Sequence, residues 1–206
     1  MDTLHFLDLL GFTVGLVYLY LEYRASIWLW LAGIVMPAID MFLYYKAGLY
    51  ADFGLAIYYC LAAVYGWVSW QLASARRHKA VATADSAAGS QPDSNTTGQG
   101  ISHYPLRLVV PVAAVFALLW WAIWWLLAHY TNSTVPITDA FTTALSIVAL
   151  WVLAHKYAEH WLLWLVVDAV CCVLYVYKDI PFKAAIYGLY TVVAVFGYIK
   201  WLKEIK

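Results

Sequence analysis

Apolar residues occur along this chain in long segments that are separated by short polar breaks. Seven segments are about 20 residues long, the length that an α-helix needs to cross the hydrocarbon core of a bilayer. They cover residues 4–22, 27–45, 51–72, 106–129, 138–155, 161–177 and 182–202. The pattern therefore predicts an all-α membrane protein with seven transmembrane helices.

A polar stretch at residues 73–105 interrupts this pattern. It is rich in Ser, Ala, Gly, Asp and Asn, and has too little apolar surface to fold, so a disordered cytoplasmic linker is predicted. The linker separates a first three-helix bundle at residues 1–72 from a linking transmembrane helix at residues 106–130. A second three-helix bundle follows at residues 131–206.

The two predicted bundles share sequence at a fixed spacing. The third segment ends in YGWVSW from Tyr65, and the seventh ends in FGYIKW from Phe196, 131 positions later. Tyr59 matches Tyr190 at the same spacing. Three spanning helices bring the chain to the opposite side of the membrane, and the linking helix brings it back. The two three-helix repeats therefore run parallel, and parallel repeats are found in transporters. Chance likeness of aromatic helix ends is the alternative interpretation.

The composition favours a bilayer over water as the solvent. Of 206 residues, 65% are hydrophobic and 12% are charged, about half the charged fraction of a soluble domain. The net charge is zero, so a nucleic-acid partner is not expected. With the N-terminus outside, nine Lys and Arg residues lie on the cytoplasmic side and three on the outer side. The positive-inside rule thus predicts an outer N-terminus and a cytoplasmic C-terminus.

Asp168, in the sixth segment, is the central candidate for binding chemistry. A charge inside a membrane span costs about 2.5–3.5 kcal/mol on insertion scales, so it requires a reason. Trp161, Trp164 and Asp168 fall on one helical face. Two indole rings and a carboxylate suit a flat cation through stacking, cation–π attraction and counter-charge. Alternatively, the tryptophans anchor the helix at the membrane interface and Asp168 bonds a neighbouring helix.

The fifth segment contains a polar stripe on an otherwise apolar helix. Its members are Asp139, Thr142, Thr143 and Ser146, at positions i, i+3, i+4 and i+7. The stripe either lines a hydrated substrate path or forms hydrogen bonds between helices. Asp139 alone has a further interpretation, because it follows Pro136 closely enough to cap the helix start.

Other ionisable residues in or near the spans carry weaker expectations. Asp40 follows Pro37 in the second segment and is a candidate substrate contact; the proline either kinks the helix or is simply tolerated. Glu22, Arg24 and Asp52 lie at helix ends and are expected to be solvated. No GxSxG, Walker A, HExxH or Gly-rich dinucleotide motif occurs. Neither enzymatic activity nor a cofactor or metal ion is therefore predicted.

Several short motifs are shared with one known family. They are LSIVA from Leu145, KYxE from Lys156, WLLW from Trp161, GLYA from Gly48 and YGW from Tyr65. Together they resemble the PnuC family of nicotinamide riboside transporters, over nearly all of the membrane portion. The resemblance implies a SWEET-like fold with a 3+1+3 arrangement of two parallel three-helix repeats. It also implies a homotrimer in the bacterial inner membrane.

The resemblance further implies facilitated diffusion, with a cytoplasmic kinase that phosphorylates the substrate and so traps it. Trp161 and Trp164 would stack the substrate ring, and Asp168 stands where members that carry nicotinamide riboside often have asparagine. Trp30 lies where members carry an Asn-Tyr-Phe-Phe-like motif, and with Tyr190 it completes the predicted substrate-binding set.

The expected substrate is nicotinamide riboside, with other possibilities left open. Ala56 and Ala63 replace amides of the third helix, which leaves fewer partners for ribose hydroxyls. Thiamine, a flat cation without ribose, or another vitamin is therefore the first alternative. The second is a vitamin-binding membrane subunit that depends on a separate ATPase.

Overall fold

The structure is a computed structural model that describes residues 3–47, 50–88, 100–131, 133–177 and 181–205. Within them, seven α-helices follow the predicted segments, and all except the third end within a few residues of the predicted bounds. They are α1 (Thr3–Tyr23), α2 (Trp28–Ala47), α3 (Tyr50–Ala88), α4 (Val109–Tyr130), α5 (Pro136–Ala154), α6 (His160–Tyr177) and α7 (Pro181–Glu204), with a 3₁₀ turn at Leu106–Leu108.

Helix α3 is longer than the sequence pattern predicts. It continues to Ala88, so the expectation of disorder is wrong for residues 73–88. Seven of these 16 residues are alanine, which has the highest helix propensity. The segment extends a helix that is already formed, so it does not bear the cost of nucleation. Residues 89–99 of the predicted linker lie outside the described residues.

The end of the predicted linker is also ordered, because it pairs with the turn between α5 and α6. Ser102 donates its N–H to the carbonyl of Lys156 at 3.1 Å and accepts from the N–H of Ala158 at 3.0 Å. The carboxylate of Glu159 accepts from the Tyr104 N–H at 2.8 Å and lies 2.9 Å from the His103 ring. We call residues 101–104 the strap.

The chain divides into two compact units, Met1–Thr97 and Gly98–Lys206. In the first unit, α2 packs against both α1 and α3; in the second, α5 packs against α4, and α6 packs against both α5 and α7. Among the described residues, four helices are long and apolar enough to cross a membrane. These are Leu106–Tyr130, Pro136–Ala154, His160–Tyr177 and Ala184–Glu204.

The same turn joins α1 to α2 and α5 to α6. Each turn contains a non-glycine residue in the left-handed region, Ala25 with φ 47° and Lys156 with φ 56°, which are 131 positions apart. In both turns this residue donates its N–H to the carbonyl three positions before, at 2.9 and 2.8 Å. The next residue donates to the carbonyl five positions before, at 2.9 and 3.2 Å. Left-handed residues end helices in this way.

A buried tryptophan pair recurs at the same 131-residue spacing. Trp30 and Trp70 meet edge to face at 5.5 Å, and Trp161 and Trp201 meet edge to face at 6.2 Å. Each first indole lies against the glycine four residues before the second, where a Cβ would come within 2.4 or 2.6 Å of the ring. Chance likeness of helix ends explains neither this packing nor the shared turn, so both units contain one structural motif.

Candidate substrate site

Asp168 is buried in the second unit, with 8% of its surface exposed. It lies in electrostatic range of Tyr187 and Tyr190 in α7. The side chain therefore lies within the protein, near α7, as both the cation-binding hypothesis and the alternative of a bond to a neighbouring helix require. Tyr190, matched to Tyr59 by the repeat, is thus brought together with Asp168.

Three tyrosines form a continuous row beside this carboxylate. Tyr175 of α6 stacks on Tyr187 with ring centroids 5.2 Å apart, and Tyr187 meets Tyr190 edge to face at 5.9 Å. A side-chain hydrogen bond also joins Tyr175 and Tyr187. We call Tyr175, Tyr187 and Tyr190 the tyrosine row; each ring is partly exposed. Aromatic faces of this kind attract flat cations.

Sequence reasoning missed two members of the tyrosine row, although a signal was present. Tyr175 lies seven residues after Asp168, which places both on one face of α6. Tyr187 lies one turn before Tyr190 on α7. Helix packing determines which residues of α7 lie near the Asp168 carboxylate. The sequence pattern of α6 alone does not show them.

The two tryptophans of the WLLW motif occupy different environments. Trp161 is 1% exposed and packs against Gly197 and Trp201 of α7. Trp164 is partly exposed, and its buried Nε1–H has no hydrogen-bond acceptor among the described residues. Trp161 thus has the contacts of helix packing, as its repeat equivalent Trp30 does, whereas Trp164 offers an accessible ring. Substrate stacking by either tryptophan stays a prediction.

The hydroxyl groups of the α5 stripe bond to their own helix. Thr142 donates to the carbonyl of Thr138 at 3.1 Å, Thr143 to that of Asp139 at 2.8 Å, and Ser146 to that of Thr142 at 2.8 Å. Such bonds to the preceding turn satisfy the hydroxyl donors without water or a second helix. The stripe remains able to accept hydrogen bonds, so a substrate path along it stays a prediction.

Asp139 fixes the loop that leads into α5. Its carboxylate accepts from the Ser133 hydroxyl at 2.6 Å, and the Ser133 oxygen accepts from the Val135 N–H at 3.3 Å. The N-cap residue of α5 is Val135, without a side-chain cap hydrogen bond, so Asp139 stabilises the helix start through Ser133 and does not occupy the cap position. Asp139 also acts electrostatically on Tyr175, so the tyrosine row reaches from the Asp168 carboxylate towards a second one.

Two acidic residues of the first unit, Glu22 and Asp40, carried expectations from the sequence. Glu22 is 2% exposed, so the prediction that it is solvated is wrong. Tyr18 lies in electrostatic range of both Glu22 and Tyr59 of α3, which indicates that neighbouring side chains cover this helix end. Asp40 lies in α2, but its side chain is outside the described residues.

Membrane-length helices, a repeated packing motif and a buried acidic aromatic cluster are features of a helical membrane transport protein. The comparison with known sequences agrees with this class. Residues 5–203 match the nicotinamide mononucleotide transporter family. The chain belongs to this family, which confirms the PnuC resemblance.

Two named relatives show the breadth of the family. The nicotinamide riboside transporter PnuC of Escherichia coli is 20% identical over 212 residues, covering 98% of this chain and 87% of the relative. The riboflavin/roseoflavin transporter RibM of Streptomyces davaonensis is 24% identical over 198 residues, covering 94% and 83%. Both are transporters by name, which supports a non-enzymatic role at the family level.

The fold also matches a solved structure. The crystal structure of the vitamin B3 transporter PnuC superposes with a TM-score of 0.65 and 21% sequence identity, over 94% of this chain and 79% of the other. At this identity the match establishes the fold.

Proposed function

We propose that this protein mediates facilitated diffusion of a small cationic aromatic vitamin precursor, with nicotinamide riboside as the leading substrate. The observation that carries the proposal is the buried Asp168 carboxylate beside Tyr187 and Tyr190. A pyridinium ring is flat and positively charged, so it matches both the carboxylate and the aromatic faces. The name of the Escherichia coli relative points to the same substrate.

In the proposed complex, Asp168 supplies the counter-charge and Trp164 and Tyr190 contact the ring. Burial strengthens the attraction, because fewer water molecules screen a charge inside the bundle. The stripe of Thr142, Thr143 and Ser146 offers further acceptors along the path.

The proposed transport cycle needs no chemical energy at the carrier. The proposed architecture is a 3+1+3 arrangement of two parallel three-helix repeats, in which the substrate site opens to each side of the membrane in turn. The repeated turns and tryptophan pairs support this architecture. A cytoplasmic kinase then phosphorylates the substrate, and the added charge prevents its return. The proposed setting is a homotrimer in the bacterial inner membrane, with an outer N-terminus.

Thiamine is the second candidate, favoured by a specific feature of α3. Ala56 and Ala63 stand where the family resemblance places amides, so the sequence offers fewer partners to ribose hydroxyls. Thiamine carries a flat cation and lacks ribose, so it needs no such partner. Riboflavin, named for the Streptomyces relative, is neutral at pH 7 and has no positive ring for the buried carboxylate.

A titration of the purified protein separates these candidates. Calorimetry with nicotinamide riboside, thiamine, riboflavin and a deoxynucleoside is expected to detect binding of the two cations and much weaker binding of the neutral compounds. Liposomes that contain this protein alone are then expected to equilibrate the bound cation. Binding without equilibration would favour an ATPase-dependent binding subunit, and tighter binding of riboflavin would refute the cation site.

A further inference from the structure

The tyrosine row connects two carboxylates that lie at different depths in the second unit. Asp168 lies in electrostatic range of Tyr187 and Tyr190, and Asp139 lies in electrostatic range of Tyr175. Asp168 and Tyr175 are seven residues apart on α6, about 10 Å along the helix axis. Asp139 lies in the first turn of α5, at the end of the bundle where α6 finishes.

The geometry of the row suits the stepwise passage of a flat cation. Successive ring centroids are 5.2 and 5.9 Å apart, so one heteroaromatic ring contacts a new tyrosine before it leaves the last. Each tyrosine residue is partly exposed, so each keeps some accessible surface. A cation over such a face is attracted within about 6 Å of the ring centroid.

We propose that Asp139, Tyr175 and Tyr187 form an access site for flat organic cations at the end of the bundle where α5 begins. This site captures the cation and passes it to Asp168. The inference rests on the proposed function, because the same cation must then be held at Asp168. With an outer N-terminus, the access site faces the outside, where the substrate arrives.

The Ser133–Asp139 hydrogen bond gives the proposal a matched control. Asp139→Asn removes the charge, whereas Ser133→Ala removes the 2.6 Å bond and keeps the charge. If the charge captures substrate, only Asp139→Asn lowers uptake at low ionic strength. If uptake depends instead on the loop conformation that the Ser133–Asp139 hydrogen bond holds, both variants lower uptake to a similar degree.

The test is initial uptake of nicotinamide riboside and thiamine into liposomes that contain the full chain, at several salt concentrations. Asp139→Asn is expected to lower kcat/KM at low salt by about threefold to tenfold and to flatten its salt dependence, because long-range steering is screened by salt. The equilibrium Kd measured by calorimetry is expected to change less than kcat/KM. Tyr175→Leu is expected to slow uptake more than Tyr175→Phe does, since phenylalanine keeps the ring. Tyr177→Leu, at a 79% exposed position, is the control for a lost tyrosine.

The outcomes separate this inference from the proposed function. A wild-type protein that binds neither cation would refute the proposed function itself. Transport by the wild type with unchanged rates and salt dependence in Asp139→Asn and Tyr175→Leu would overturn the access site alone. The same would follow if Ser133→Ala reproduced the effect of Asp139→Asn.

Discussion

Replacing Asp168 by asparagine is the most direct test of a cation-binding carboxylate. Asparagine is nearly the same size, keeps a carbonyl acceptor and carries no charge. Because Asp168 is buried beside Tyr187 and Tyr190, the substitution changes electrostatics without opening a cavity. Truncation to alanine would combine both effects.

The expected loss follows from the charge. Two unit charges about 4 Å apart attract by about 4 kcal/mol at an effective dielectric constant of about 20. Part of this is offset, because the bound cation must give up water and asparagine still accepts a hydrogen bond. Bonds to charged groups contribute about 1.5–3 kcal/mol net. At 1.4 kcal/mol per factor of ten, the expected loss of affinity is about 10- to 150-fold.

Calorimetric titration of the purified variant against nicotinamide riboside, thiamine and riboflavin measures this loss. Both cations are expected to weaken by similar factors, while the weak binding of neutral riboflavin stays the same or improves. Circular dichroism and size-exclusion chromatography check that the variant folds and assembles as the wild type does. Equal affinity for the cations in the variant and wild type would refute the reasoning, as would an equal loss for all three ligands.

Three further predictions concern packing and the strap. Trp164→Ala is expected to weaken cation binding at least tenfold. Trp161→Ala is expected instead to lower thermal stability, since truncating a buried Trp costs about 3–5 kcal/mol. A comparison of the Kd and Tm of the two variants decides which ring contacts the substrate. Gly197→Ala is expected to cost about 1–3 kcal/mol by overpacking, because its Cβ would lie 2.6 Å from an indole carbon; the control Gly54→Ala, with nothing within 4 Å, should keep or raise Tm. Glu159→Gln is expected to increase hydrogen exchange in the strap, and unchanged exchange there would contradict a role for this carboxylate.

Most of the helical framework follows from the sequence, because a bilayer restricts what an apolar segment can form. Twenty apolar residues must satisfy their backbone within a helix, and so six of the seven helices end close to the predicted residues. The exception, α3, has an end that lies in a polar region where the bilayer sets no limit. In that region the high alanine content favours helix, and α3 continues to Ala88.

The site was less accessible to prediction than the framework. The face of α6 identified Asp168 correctly as a buried group, but Trp161 on the same face contacts Gly197 and Trp201 of α7. A periodic pattern shows which residues share a face, and it does not show which neighbour fills the space in front of them. Glu22 illustrates the same limit, because its burial depends on a helix end being covered by other elements.

The repeat shows how a duplicated scaffold can hold an asymmetric site. Both units keep the left-handed turn and the tryptophan pair seated on glycine, which fix how neighbouring helices pack. The positions 131 residues before Asp168 and Tyr187 are Pro37 and Ala56, whereas those before Tyr175 and Tyr190 are Tyr44 and Tyr59. The carboxylate at the Asp168 position therefore has no counterpart in the first unit. A substrate with one positive ring requires one counter-charge, and a second carboxylate in the same site would raise the pKa of the first and weaken its charge. Both units therefore keep the packing motif, whereas the carboxylate proposed to bind the cation occurs in the second alone.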